Sequence, residues 1–313
     1  MLRELRLLEE IKRVVKRRQK EVLVSIGDDG CVLKHGTVLT TDAFVEGVHF
    51  DLGYMTFSDV GRRVMGATLS DIAAMGASPI CVLVSLLLPP SLRRRDVLSL
   101  YKGMERVVER FGVEITGGEV SSSSLFSLVL TAMGKTSHPC KRSGALPGDK
   151  LYISGELGLS ETGRIVLRKG LRKRGFKRAI EKHLHPLPRI KEAISLRNLL
   201  SSLIDTSDGL STDTFHIASE SKVRIRIFLD RLPVSREAER VCKMLDLPLK
   251  DFVLNAGEDY ELLFTSSERL PKELSGTIIT CIGEVEEGEG TWIVEREGEK
   301  RLLPKGYEHF RPH

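Results

Sequence analysis

At 313 residues the chain is longer than one ordinary core usually holds, which predicts two domains of roughly 100 to 200 residues each. With 41% hydrophobic and 29% charged residues it is neither disordered nor fibrous, and a net charge of +5 is too mild for a dedicated nucleic-acid binder. The longest apolar run, Ile80 to Leu88, falls short of the roughly 20 residues of a spanning helix, and the charge-dense start lacks the apolar core of a secretory signal, so a cytoplasmic location is expected.

Leu2, Leu5, Leu8, Ile11, Val14 and Val15 recur at helical spacing among Arg, Lys and Glu and predict an amphipathic opening helix that packs on the rest. From Val22 to Leu128, β-rich runs at 22–26, 37–41, 81–87 and 125–131 alternate with helical patterns at 58–75 and 96–111. That alternation reads as α/β or α+β. Pro139, Gly144, Pro147 and Gly148 crowd one short segment, the composition of a connector, and place a boundary near residue 138. The expected division is an α/β domain at 1–137 and an α+β domain at 138–313. In the second, strand-like runs fall at 151–154, 223–229, 261–265, 277–282 and 291–294. A strongly cationic stretch, with Arg164, Arg168, Lys169, Arg172, Lys173, Arg174, Lys177, Arg178 and Lys182, reads as a solvated helical face. A patch for RNA or an acidic partner is the alternative, and with it a non-enzymatic nucleotide- or RNA-binding protein.

The chemistry is concentrated in acids that end apolar runs or stand among glycines, in both halves of the chain. They are Asp28 and Asp29 in SIGDDG, Asp42 in LTTDAF, Asp71 in TLSDIAAMGA, Glu119 in ITGGEV, Asp205 and Asp208 in LIDTSDGL, and Glu258 and Asp259 in NAGEDYELLF. Taken singly, each reads as a turn residue or helix cap. Taken together, carboxylates without neighbouring His or Cys favour a hard cation, and Mg²⁺ takes only one or two of them beside water and substrate phosphates. Several acids in one cleft therefore imply several magnesium ions and a phosphate-bearing ligand whose binding depends on them. The five cysteines are odd in number, scattered and without a C-x-x-C pair, which excludes a disulfide framework or thiolate zinc site.

No standard phosphate loop is present: in Met133-Gly134-Lys135-Thr136, Val129 occupies the place where a P-loop needs its first Gly. Gly155, Gly158 and Gly163 follow a strand-like run and precede a helix, a context in which backbone N–H groups can meet phosphate. Gly117 and Gly118 before Glu119 are similar.

In order along the chain, SIGDDGCVL, LTTDAFVEGVHF, GATLSDIAAMGASP, ITGGEV, KRSGALPGD, SGELG, DTSDGLSTD, NAGEDYELLF and GYEHF resemble the signature of the thiamine-monophosphate kinases, over about residues 22 to 310. The resemblance implies an AIR synthetase-like fold, with an N-terminal α/β domain whose sheet pairs with that of a second subunit, a C-terminal α+β domain, and a homodimer with its active site in the cleft. It implies magnesium-dependent transfer of the γ-phosphoryl group of ATP to thiamine monophosphate. Carried over by position, Asp29, Thr40, Thr41, Asp42, Asp71, Asp205 and Asp208 match magnesium ligands, with Glu119 where a further one is usual. Tyr101, Gly117, Gly118, Arg142 and Ser207 match nucleotide contacts, and His49, Glu258 and Tyr307 match substrate contacts. Asp42, Asp208 and Arg142 are the residues expected to bear on catalysis, and Asp28 is expected as an outer partner.

Three positions depart from the family pattern: Glu119 stands where Asp is common, Ser121 to Ser124 replace a Thr pair, and Ala256 replaces a Gly. Other enzymes of the same superfamily are the nearest alternatives. No Cys precedes Cys31 and the chain ends Phe310-Arg311-Pro312-His313, which argues against the selenophosphate synthetases and the hydrogenase-maturation dehydratases in turn.

Overall fold

The computed structural model describes residues 4–16 and 18–310. Leu2 of the expected opening helix lies outside them. That helix, α1 (Glu4–Val14), forms, but Leu8 and Ile11 stay about 40% exposed, so it packs only lightly.

The first half builds one six-stranded sheet from β1 (Val22–Val24), β2 (Cys31–Leu33), β3 (Thr37–Val45), β4 (Ser78–Leu88), β5 (Glu114–Ser122) and β6 (Ser127–Lys135). Its order is β1-β2-β3-β6-β4-β5, antiparallel except for the β4–β5 pair. Helices α2 (Phe57–Ala74) and α3 (Arg94–Phe111) lie side by side, α2 against β3 and β6. The start of α2 is set by Thr56, whose hydroxyl accepts from the Asp59 N–H at 3.2 Å while Asp59 accepts from the Thr56 N–H at 2.9 Å. The two helices approach backbone to backbone: a Cβ on Gly61 would stand 2.0 Å from the Leu100 carbonyl oxygen. Strict alternation along β6 sends Leu128, Leu130 and Ala132 into this core. The opposite face of the sheet is left open, with Leu83 46% exposed.

The second half forms an eight-stranded sheet. Its strands are β7 (Lys150–Ser154), β8 (Ser202–Asp205), β9 (Arg224–Phe228), β10 (Leu262–Ser266), β11 (Glu273–Leu274), β12 (Thr277–Glu286), β13 (Gly290–Glu295) and β14 (Gly298–Leu302). The order is β14-β13-β9-β12-β7-β10-β8, with β11 attached to β12. Helices α4 (Leu159–Arg168), α5 (Lys177–Leu184), α6 (Ile190–Leu196), α7 (Leu210–Ser221), α8 (Arg236–Leu245) and α9 (Leu249–Asn255) complete it. The hydrophobic core of the first half does not stop at the connector: Ile190, Ala193, Leu203, Leu262 and Phe264 belong to the same buried cluster as Val64 and Leu69 of α2. The two halves are thereby welded along α2, which holds the cleft between them open but fixed.

Candidate active site

Where the ends of β1–β2, β3, α2 and β8 meet, they enclose a cleft of about 1350 Å³. Asp29 comes from the turn before β2, Asp71 from the last turns of α2, and Asp205 from the end of β8. One oxygen of each lies within 4.8 Å of the others. At about that separation two unit charges repel by roughly 3 kcal/mol at an effective dielectric of about 20, so three ionised neighbours are unstable without a cation.

The hydrogen bonds around the cluster are too few to neutralise it. Thr40 donates to Asp71 at 2.6 Å and Ser70 to Asp205 at 2.5 Å, and Arg142 pairs with Asp29. Buried Asp29 Oδ2 and Asp205 Oδ1 have no hydrogen-bond partner among the described residues. Burial, with Asp29 beside it, pushes Asp205 up to about 8. Burial pushes Asp42 up to about 6, with Asp29 adding to it, and Asp28 up to about 7, again with Asp29 contributing. Asp208 is pushed up to about 7 by burial and by Glu4 of α1. Asp71 is raised well above the ordinary range by burial and by its acidic neighbours Asp42 and Asp205. All-oxygen donors with orphaned buried lone pairs fit a hard divalent cation.

Alternation along β3 divides its three candidates. Thr40 and Asp42 share the face toward α2, whereas Thr41 points to the open face and pairs with Thr131 at 3.0 Å. Asp28 lies one shell out, accepting from the Arg142 N–H at 3.1 Å. The Arg142 Nε is buried without a hydrogen-bond partner among the described residues. Ser207 and Asp208 follow β8, and the chain crosses there so closely that a Cβ on Gly209 would lie 2.8 Å from the Asn255 carbonyl.

The far wall is aromatic and acidic. His49, Glu258 and Tyr307 line it, together with His309, whose ring is 5.2 Å from that of His49 and 4.9 Å from that of Tyr307. Burial, with the neighbouring His309, lowers His49 below the usual histidine range. Its Nδ1 accepts from the Val45 N–H at 3.1 Å. Glu258 stands in left-handed backbone (φ 63) and pairs with Arg63 of α2.

Four of the expected nucleotide and metal residues lie elsewhere. Tyr101 packs on α3 against the first core, and Gly117, Gly118 and Glu119 lie on the exposed edge strand β5. Gly118 has a structural reason, since a Cβ there would stand 1.8 Å from the Val84 carbonyl oxygen. The phosphate-loop reading of Gly155 and Gly158 is overturned: Asp259 fills the start of α4, accepting from the N–H groups of Gly158 at 2.6 Å and Ser160 at 2.8 Å. The cationic stretch is two helices and a connection rather than one face. Arg164 pairs with Glu161, Arg178 with Glu156, and Lys182 with buried Glu261, while Arg164 and Arg168 reach the cleft.

Sequence reasoning passed over Arg63, Ser70, Asp213 and His309. Asp213 was visible as the last acid of DTSDGLSTD; it is buried and accepts from the N–H groups of Gly209 and Asp208 at 3.0 and 3.4 Å, fixing the Asp208 turn. Burial and Asp208 raise it well above the ordinary range. Arg63 carried no signal, because paired arginines on a helix read as surface.

Residues 27–136 match the family model of AIR synthase related proteins, N-terminal domain. A thiamine-monophosphate kinase of Aquifex aeolicus is 36% identical over 292 residues, which cover 91% of this chain and 92% of the relative. One from Pyrococcus horikoshii is 36% identical over 261 residues, 82% and 81% of the two chains. Among solved structures, AaThiL complexed with AMPPCP and TMP superposes with a TM-score of 0.89 at 34% identity, over 99% of this chain and 97% of that one. The expected AIR synthetase-like fold is thus borne out.

Proposed function

Since this chain belongs to the thiamine-monophosphate kinase family, we propose that its cleft is where the γ-phosphoryl group of ATP passes to thiamine monophosphate, giving thiamine diphosphate and ADP. The observation that carries the site assignment is the convergence of Asp29, Asp71 and Asp205 within 4.8 Å of one another. Those three, with Asp42, Asp208 and the oxygens of Thr40 and Thr41, would hold magnesium ions, and Glu119 a further one. Bound magnesium supplies charge neutralisation between the acids, the triphosphate and the phosphoryl group in flight.

The chain's own task is positioning. The acceptor oxygen belongs to a phosphate monoester whose second pKa is about 6, so it is anionic at neutral pH and needs no strong protein base. Transfer is then direct and in line, without a phosphoenzyme. Arg142, anchored by Asp29, orients the nucleotide phosphates, and Ser207 contacts the nucleotide. His49, Glu258 and Tyr307 hold the thiamine moiety, Tyr307 by stacking.

Tyr101, Gly117, Gly118 and Glu119 lie away from this chain's own cleft, and we assign them to the cleft of a second copy. The open sheet face beside β5, with exposed Leu83, supports a homodimer formed there. The domain boundary is placed near residue 138, after β6. No described helix is long and apolar enough to cross a membrane, and we place the enzyme in the cytoplasm.

The test is incubation of the purified protein with ATP, magnesium and thiamine monophosphate, followed by chromatography of the thiamine species. Thiamine diphosphate is the expected product. Its absence from a folded, ATP-binding protein overturns the assignment.

A further inference from the structure

We propose that Arg63 is the positioning residue that locks the two acceptor-binding elements of the cleft, the His49 loop and the Glu258 segment, into one register. The inference rests on the reading above, in which His49 and Glu258 contact the thiamine moiety. Arg63 is 3% exposed on the inner side of α2, yet its guanidinium serves three separate segments. Nε donates to the His49 carbonyl at 3.0 Å, Nη1 donates to the His183 carbonyl at the end of α5, and Nη2 pairs with the Glu258 carboxylate. These partners stand 14, 120 and 195 residues away in the chain.

Glu258 depends on that contact in a way its neighbours do not. Asp259 and Glu261 turn inward, one onto the start of α4 and the other onto Lys182 and Arg189. Glu258 and Tyr260 stand in left-handed backbone between these inward acids, and Glu258 remains 31% exposed toward the cleft. Arg63 is its only ion-pair partner among the described residues. A planar guanidinium can bond three acceptors in fixed directions, whereas a lysine ammonium in the same place is a point charge without that fork. The residue therefore sets the direction of the Glu258 carboxylate on the acceptor wall.

A purely structural arginine would lower stability and affect both substrates alike; a positioning one acts on the acceptor. The experiment uses the full chain with magnesium, ATP and thiamine monophosphate. A wild-type protein that makes no thiamine diphosphate overturns the reading of the cleft and this inference with it. Given wild-type turnover, Arg63→Met is expected to raise the KM for thiamine monophosphate at least about tenfold and leave that for ATP within about twofold, with Arg63→Lys recovering part of the loss. In a Glu258→Gln background the same substitution is expected to cost less than about threefold, because the contact is already broken. Equal changes in both KM values, or the full loss repeated in the Glu258→Gln background, overturn the proposal while leaving the kinase reading intact. Should Arg63→Met fail to fold, Arg63→Lys alone and combined with Glu258→Gln gives the same two comparisons.

Discussion

Asp205 ends β8 and Glu261 immediately precedes β10, the strand that pairs with it, so two buried acids stand side by side in one sheet with opposite surroundings. Each is 1% exposed. Glu261 accepts from Ser154 at 2.6 Å, Lys182 at 2.5 Å and both arms of Arg189 at 2.5 and 2.6 Å. Burial pushes its pKa up, but Lys182 and Arg189 outweigh burial and bring it down to about 2. Asp205 has one serine hydroxyl, an oxygen without a partner among the described residues, and other acids that Arg142 only partly offsets, and stands at about 8. Burial alone thus does not mark a functional acid; a buried acid whose countercharge the chain withholds does.

The largest expected effect breaks the withheld side of the comparison. Asp208→Asn, or Asp42→Asn, should lower kcat by about 10²- to 10³-fold, the order seen when one preorganised charge-stabilising group is lost. The melting temperature should hold or rise, because an uncompensated charge has left the interior. Steady-state kinetics beside thermal unfolding checks both halves; wild-type turnover would place the metal-binding role elsewhere. Glu261→Gln is the opposite experiment, stranding Lys182 and Arg189. It should cost about 3 kcal/mol of stability, the penalty for breaking a buried pair from one side, while the protein that remains folded keeps kcat within a few fold. Denaturant unfolding measures the first and turnover per folded molecule the second. A catalytic collapse without loss of stability would mean the paired acid is not structural.

This contrast also explains what the sequence showed. Asp42, Asp71 and Asp205 were legible only as members of a set of acids that recurs beside apolar runs in both halves, and the long helices α2 and α3 were legible from their period. Within GEDYE, however, Glu258, Asp259 and Glu261 look alike, and only tertiary structure shows one facing the cleft, one capping α4 and one neutralised by two cations. Arg63 was invisible for the same reason: its three partners are remote in the chain. Short strands such as β2 and β8 escaped because a run of three or four residues has too little pattern to separate from a loop. Glu119 was read from its motif, but the motif cannot say that β5 is an exposed edge, so its place relative to the cleft emerged only from the sheet order.

The smallest effect sharpens the comparison without any mutation. Asp28, Asp42, Asp205 and Asp208 stand at about 7, 6, 8 and 7 in the folded protein against 3.8 for a free aspartate. These acids make the native state bind more protons than the unfolded chain between pH 4 and 8; buried His49, His183 and His216, all lowered, oppose them below about pH 6.5 but are fewer, so stability should fall as pH rises through the upper part of that window. Glu261, with its depressed value, has the opposite sign but acts only below about pH 4.5, outside the range of interest. In EDTA the melting temperature should drop by a few degrees from pH 6 to pH 8. Magnesium binds the ionised acids, so it should restore more at pH 8 than at pH 6. A scan of four samples, two pH values with and without magnesium, decides it. A metal-free melting temperature that is flat or rises with pH would mean the acids of the cleft already have their countercharge within the chain, and the difference between Asp205 and Glu261 would lose its meaning.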